Sequence, residues 1–419
     1  MANHNKPLQI SNKIARRFLL SHQFLLPPKR LHRGQIIDTL FARLGCIQFD
    51  TINVVGRNAD LVLQSRVKNY KPEILDSLLY ESRSLLDGWD KVASIYPVED
   101  WPFFHRHRSR MGEYHEARSA GALSAVPSVL ESIRNTGPMS SIDFKDNTKT
   151  DWFWGPTSQA RAALEILYAQ GHIGIHHRVN TRRYFDVIED LVPEDTLGQP
   201  DPFADNDEYL NWHILRRIGS LGIASMQSGE HWGGIFGARK VKPRKEIINQ
   251  LINIGQVTPI QIENTSGKVY YLRSKDLEAL YQAENTQPKS KSIAFIAPLD
   301  NLIWNRNLVE DLFGFSYTWE VYKPKSKREY GYYVLPVLFK DRFIARADMK
   351  FERKSKTLIL NNWWWEEDFK LEDTSQIAIR SGFIEFLAYL EGERIKLESR
   401  SSISKSDKAL FGEIEAETQ

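Results

Sequence analysis

Apolar positions in the first stretch of the chain recur at helical spacing. Between Ile10 and Leu26 they include Ile14, Phe18, Leu19 and Phe24. Between Gly34 and Leu44 they are Ile36, Ile37, Leu40, Phe41 and Leu44. Residues three and four apart share one face of a helix, so both runs predict helices. Gly45 stops the second, and Cys46–Asp50 follows as a short extended segment. A second unit has a helix over Val126–Asn135, a turn and short helix over Gly137–Phe144, and a strong helix over Ser158–Gln170 closed by Gly171. Alternation over Ile173–Val179 and Arg183–Ile188 then predicts a hairpin around Asn180-Thr181. A third unit repeats the order. It has helices at Asn206–Ser220, Gly222–Glu230 and Arg244–Ile254, then a hairpin of Thr258–Ile262 with Lys268–Leu272. Three helices followed by a hairpin is the order of a winged helix.

From Ser292 the period shortens to that of strands. Aromatic and β-branched residues dominate Phe315–Tyr322, Tyr330–Leu338, Arg342–Ala347 and Thr357–Trp365. A helix is expected at Gln376–Leu390, and the polar tail Glu391–Gln419 is expected to fray. The expected fold class is α+β: three tandem winged-helix domains followed by a small β-rich, barrel-like C-terminal domain. The expected boundaries are 1–120, 121–200, 201–290 and 291–419.

Composition narrows the function classes. At 42% hydrophobic and 26% charged, the 419 residues are those of a folding chain rather than a disordered one. Lys and Arg number 56 against 53 Asp and Glu, a net charge of only +3, so affinity for nucleic acid has to come from local patches. The single cysteine, Cys46, excludes a disulfide scaffold and a multi-cysteine zinc site. No window of about 18 residues is free of charge, so no membrane span is expected. The first residues lack an apolar signal core, which points to the cytoplasm and the nucleoid. There is no P-loop, no Gly-x-Ser-x-Gly and no dinucleotide fingerprint in a βαβ setting, and neither cofactor nor metal is expected.

Chemistry concentrates in a few places. In an extended segment Gln48 and Asp50 face one side, an amide beside a carboxylate, with Phe49 turned into the core. Such a pair can orient and deprotonate a water or stabilise a cation. The same spacing also suits a strand end with two solvated residues. Arg57, Arg66 and Lys68 follow, suited to phosphates or to a solvated helix face. His105, Arg106, His107, Arg108, Arg110, His115 and Arg118 make a dense cationic field, whose natural partner is phosphate. The predicted hairpin carries Arg178 and Arg182 beside His176, His177 and Arg183, as a basic wing or a charge-protected edge. Lys323, Lys325, Lys327 and Arg328 lie between strand-like runs and predict a charged hairpin tip. Asp300 and Arg306 suggest a buried pair. Unaided, these residues describe a winged-helix protein that touches DNA, which suits a transcription regulator as well as an enzyme.

Longer blocks carry a resemblance. Leu44–Arg57, reading LGCIQFDTINVVGR, is similar to the active-site segment of the winged-helix DNA glycosylases typified by YcaQ and AlkZ, in its Gln-x-Asp form. Tyr96–Pro102, Gly137–Ser141, Ala163–Tyr168, Ala297–Arg306, Phe313–Phe315 and Lys327–Pro336 resemble further blocks of that family, in order, from about Ile10 to Trp365. The chain departs from the pattern at Lys91, where a histidine is expected, and at Gln64, where an aromatic residue is usual, and both bear on lesion choice. The resemblance implies a monofunctional glycosylase acting on double-stranded DNA as a monomer. It implies release of N7-alkylated purines and unhooking of interstrand crosslinks in DNA repair, with Gln48 and Asp50 catalytic and the basic residues gripping the duplex.

Overall fold

Ser11 starts the first helix: its hydroxyl accepts the amide of Ile14 at 3.2 Å, and Asn12–His22 buries Ala15, Phe18, Leu19 and Leu20 behind that cap. In the computed structural model, which describes residues 6–118, 120–145, 148–152, 155–398 and 403–418, the chain forms two units. One joins the residues up to Ile74 to those from His213 onward, and the other is Leu75–Trp212. Each mixes helix and sheet.

In the first unit the N-terminal strand Leu8–Ile10 lies parallel to Val257–Ile262, with Leu8 opposite Ile260. Val257–Ile262 pairs antiparallel with Val269–Arg273, and a two-residue strand, Ala224–Ser225, completes the four-stranded sheet. Phe18, Leu19 and Leu20 of the first helix share a core with Ile260, Tyr270, Leu302 and Phe343. The ends of this unit are therefore welded by burial, although the residues lie far apart in sequence.

The C-terminal part is an open five-stranded sheet in the order Ala294–Phe295, Val334–Phe339, Arg342–Glu352, Thr357–Trp365, Arg394–Leu397. Lys340 and Lys356, both with positive φ, make its tight turns. Helix Asp373–Tyr389 covers the sheet, with Phe383 and Phe386 5.2 and 4.7 Å from the Phe295 ring.

The second unit holds a hairpin, Leu85–Trp89 with Ala93–Pro97, and helices His105–Arg118, Val126–Thr136 and Gln159–Gln170. Ser158 caps the last helix and Gly171 ends it in the left-handed region. The hairpin Ile173–Val179 with Arg182–Val187 turns at Asn180, whose φ is 57°. Val129, Ile133, Ala163 and Leu164 pack on Ile173, Ile175 and Phe185 of that hairpin.

Four expectations are corrected. Gly137–Phe144 contains turns and no helix, because Met139 exchanges backbone hydrogen bonds of 2.9 and 2.7 Å with Phe185. Gly222–Glu230 is a strand and bends rather than a helix, since Ala224–Ser225 is drawn into the sheet by Tyr270 and Tyr271. Phe315–Tyr322 is irregular, and so the basic stretch after it is no hairpin tip. The tail supplies an edge strand and helix Lys405–Glu417, whose Phe411 sits 5.2 Å from Trp363. Among the described residues, no helix is long and apolar enough to cross a membrane, and no group of three or more His, Cys, Asp or Glu could hold a metal ion.

Candidate active site

Gly45, at φ +72°, turns the chain out of its helix and into Ile47–Gln48. A Cβ there would meet Arg216 and Ser220 at 3.2 and 3.3 Å, so the segment runs hard against a neighbouring helix. Ile47 and Phe49 are buried, while Gln48 and Asp50 between and after them are half-buried.

The backbone around them is gripped from several directions. Ser220 donates its hydroxyl to the Leu44 carbonyl, Arg216 reaches the Gly45 carbonyl at 2.9 Å, and Asn301 reaches that of Cys46 at 2.9 Å. Asn58 donates its amide to the Gln48 carbonyl at 2.8 Å and accepts the Leu299 amide at 3.0 Å. Further on, Phe351 donates its backbone N–H to the Val54 carbonyl at 3.1 Å. The bonds to the Leu44, Gly45, Cys46, Gln48 and Val54 carbonyls satisfy acceptors that an irregular buried segment would otherwise leave unpaired. The result is a fixed platform for two polar side chains.

Asp50 accepts the Ile52 amide at 2.8 Å, which fixes its carboxyl orientation. Burial pushes its pKa up, and the Ile52 N–H draws it partly back. Tyr333, itself buried, has its phenol pushed far up by burial, then by Tyr317 and by the charge of Asp50. Asp50 and Tyr333 therefore lie within electrostatic reach of each other. A second carboxyl, Asp348, is half-buried on the strand opposite Val334, and burial lifts it to about 6. A Cβ on Gly331 would stand 2.8 Å from its Oδ2. A partly desolvated carboxylate beside an amide can hold and deprotonate a water and stabilise developing positive charge.

The other candidates separate by unit. Arg57 is half-buried, held at 2.5 Å by Asp60, which also accepts the Tyr70 hydroxyl at 2.7 Å. Arg66 is fully buried and bound through two hydrogen bonds to Asp300, so it has no surface to offer a phosphate. This corrects two expectations, since Asp300 was expected to pair with Arg306. Lys323 pairs with Glu320 at 2.8 Å, Lys325 and Lys327 are exposed, and Arg328 donates to the Lys323 carbonyl and lies over Tyr332. Glu320 organises this loop. It is buried, accepts the amides of Glu329, Tyr330 and Gly331, and is held down to about 2 by those bonds and Lys323 against the opposing effect of burial.

In the second unit His105 and Arg182 are exposed. Arg106 pairs with Asp201 at 2.7 Å. His107 is buried against Phe104, and Arg178 is paired with buried Asp87 at 2.7 Å. Those two face inward, which corrects their expected role as DNA contacts. Arg108 stacks 3.6 Å over Trp101 and donates to its carbonyl, and burial lowers its pKa to about 10. Sequence reasoning missed Asn58, Asn301, Glu320 and Tyr333. Asn58 directly follows the Gln-Phe-Asp block and Asn301 and Tyr333 lie inside other resembling blocks, but nothing local marks them as supports.

Residues 41–391 match the family model described as DNA glycosylase AlkZ-like. Among solved structures, the DNA glycosylase AlkZ of Streptomyces sahachiroi is similar, with a TM-score of 0.60 over 93% of this chain and 100% of that one, at 14% identity. At that identity the likeness concerns the fold, a mixed α+β arrangement.

Proposed function

The chain belongs to the AlkZ-like DNA glycosylase family, and on that footing we propose that it is a monofunctional glycosylase which releases N7-alkylated purines and unhooks interstrand crosslinks. We read its helix-and-hairpin units as winged helices and the protein as a monomer on double-stranded DNA. The observation that carries the reading is the pair of half-buried side chains, Gln48 and Asp50, flanking a buried Phe49 on a backbone clamped by Arg216, Asn301 and Asn58.

The chemistry follows from the substrate class. Alkylation at N7 makes the base cationic, so the bond from the sugar C1′ to the base nitrogen breaks with its electrons passing to the base, which leaves neutral. The sugar acquires oxocarbenium character. Asp50 stabilises that cation and takes a proton from water, Gln48 orients the water, and the water oxygen bonds to C1′. No lysine is assigned as a Schiff-base nucleophile, so the product is an abasic site. A crosslinked purine is tethered to the opposite strand, and the exposed cations Lys325 and Lys327 serve to grip the duplex around an open cleft.

The test is a duplex carrying one N7-methylguanine, scored for alkali-sensitive breaks with parent protein and with Asp50→Asn. Cleavage by the parent alone is expected. Equal cleavage by both would remove Asp50 from the mechanism, and a borohydride-trapped protein–DNA adduct would overturn the monofunctional assignment.

A further inference from the structure

A large concavity in the first unit is lined by residues other than Asp50. It is a cavity of about 750 Å³ lined by five lysines, Lys29, Lys68, Lys71, Lys289 and Lys291, and one acid, Glu385, with Glu391 pairing Lys71 at 3.3 Å. Glu385 is occupied by Lys29 and by the Ser292 hydroxyl at 2.8 Å, and Lys71 donates to the Ala388 carbonyl at 2.7 Å. Among the described residues the side chains of Lys68, Lys289 and Lys291 take part in no hydrogen bond or ion pair. Between the cations the lining turns apolar, with Pro27, Val67, Tyr70, Ala388 and Tyr389. Its volume falls within the roughly 300–1,000 Å³ of small-molecule sites.

Uncompensated ammonium groups around an apolar floor call for a ligand that joins dense negative charge to a flat, weakly polar body. Inorganic phosphate has the charge and leaves the floor empty. An apolar ligand covers the floor and leaves the lysines unmatched.

We propose that this cavity binds a nucleoside phosphate, its phosphate groups held by Lys68, Lys289 and Lys291 and its base set against the Tyr70–Tyr389 floor. The same chemistry arrives either as a free nucleotide or as the phosphorylated end of a DNA strand. The floor is also structural to the candidate active site. The Tyr70 hydroxyl donates to Asp60, the partner of Arg57, and the Tyr389 hydroxyl closes on Gly56.

Calorimetric titration of the full chain with ADP tests this without any readout of base release, so its failure and a failure of the glycosylase reading are separate. One ADP per chain is expected. Affinity should fall about tenfold or more in Lys68→Ala/Lys289→Ala/Lys291→Ala, whose side chains are exposed, and in Ala388→Trp, which fills the cavity from an exposed position. Competition against ADP by a duplex with a 5′-phosphorylated overhang, and not by its 5′-hydroxyl counterpart, would identify the DNA end as the source. Absence of competition would identify the free nucleotide. The proposal is overturned if ADP shows no saturable binding, if inorganic phosphate binds as tightly as ADP, or if Ala388→Trp binds like the parent.

Discussion

Arg66 reaches Asp300 through two hydrogen bonds of 2.8 and 2.7 Å, at a point where neither side chain has any exposed surface. The two residues lie 234 positions apart. Arg66 also donates to the carbonyls of Gln23 and Val62, so one guanidinium ties three segments together. Removing one partner strands the other as a buried charge, which costs about 3–5 kcal/mol. Arg66→Ala and Asp300→Ala should each lower the unfolding free energy from urea titration by that much, while Arg66→Met/Asp300→Leu should recover part of the loss. An Arg66→Ala protein as stable as the parent and weaker only in DNA binding would restore Arg66 as a phosphate contact.

That pair also shows what can be read along the chain and what cannot. Local signals were legible. Ser158 and Gly171 bracket a helix, Asn180 marks a hairpin turn, and Gly45 ends a helix before an extended segment. Each is a preference of a residue for its own backbone geometry. The Gln48–Asp50 alternation was legible for the same reason. Long-range satisfaction was not. Arg66 looks like any basic helix residue until Asp300 is beside it, and Arg178 until Asp87 is. Phe315–Tyr322 has strand composition, yet Tyr317 spends its hydroxyl on the Val334 carbonyl and Glu320 collects the amides of the following loop, so no ladder forms.

Asp50 should act in its ionised form, and its burial sets the pH dependence. Burial raises its pKa, so base release should decline on the acid side at a pH above the ordinary aspartate value of about 3.9. Asp50→Asn should lose on the order of 10²-fold or more in rate and lose that acid limb. The same shift has a stability consequence. A carboxyl with a raised folded pKa costs nothing below its unfolded pKa and costs its full amount once pH exceeds the folded value. The Asn variant should therefore be more stable than the parent at neutral pH, with the difference closing as pH falls towards 4. A difference that grows on acidification would contradict the burial effect.

Gly56 has φ +133°, and the space its Cβ would need is occupied by the Tyr389 hydroxyl. Gly56→Ala meets both a backbone penalty and a clash. It should cost about 1–3 kcal/mol for the backbone alone and displace the loop that carries Arg57. Tyr389→Phe removes the clashing oxygen and leaves the ring, so Gly56→Ala/Tyr389→Phe should regain part of the lost stability. Chemical denaturation of the four proteins gives the coupling directly, and strictly additive losses would mean that the two residues do not meet.

Glu320 makes the opposing prediction to simple charge counting. Replacing exposed Lys325 and Lys327 with alanine should weaken duplex binding and lower the slope of log K against log salt by up to about 0.9 per lost phosphate contact. Glu320→Gln makes the protein more positive, which on charge alone would strengthen binding. Its carboxylate, however, holds Lys323 and the amides of Glu329, Tyr330 and Gly331 in the shape that presents those lysines. The variant should bind the duplex more weakly despite its extra charge, and the loop amides should exchange faster with deuterium. Because the carboxyl is held at about 2, its stabilisation is complete above the unfolded glutamate value of about 4.3 and disappears only as pH falls from there towards 2. Loop protection in the parent should accordingly stay constant from pH 8 to 5. Tighter binding by Glu320→Gln at every salt concentration would show that the charge of the loop matters and its shape does not.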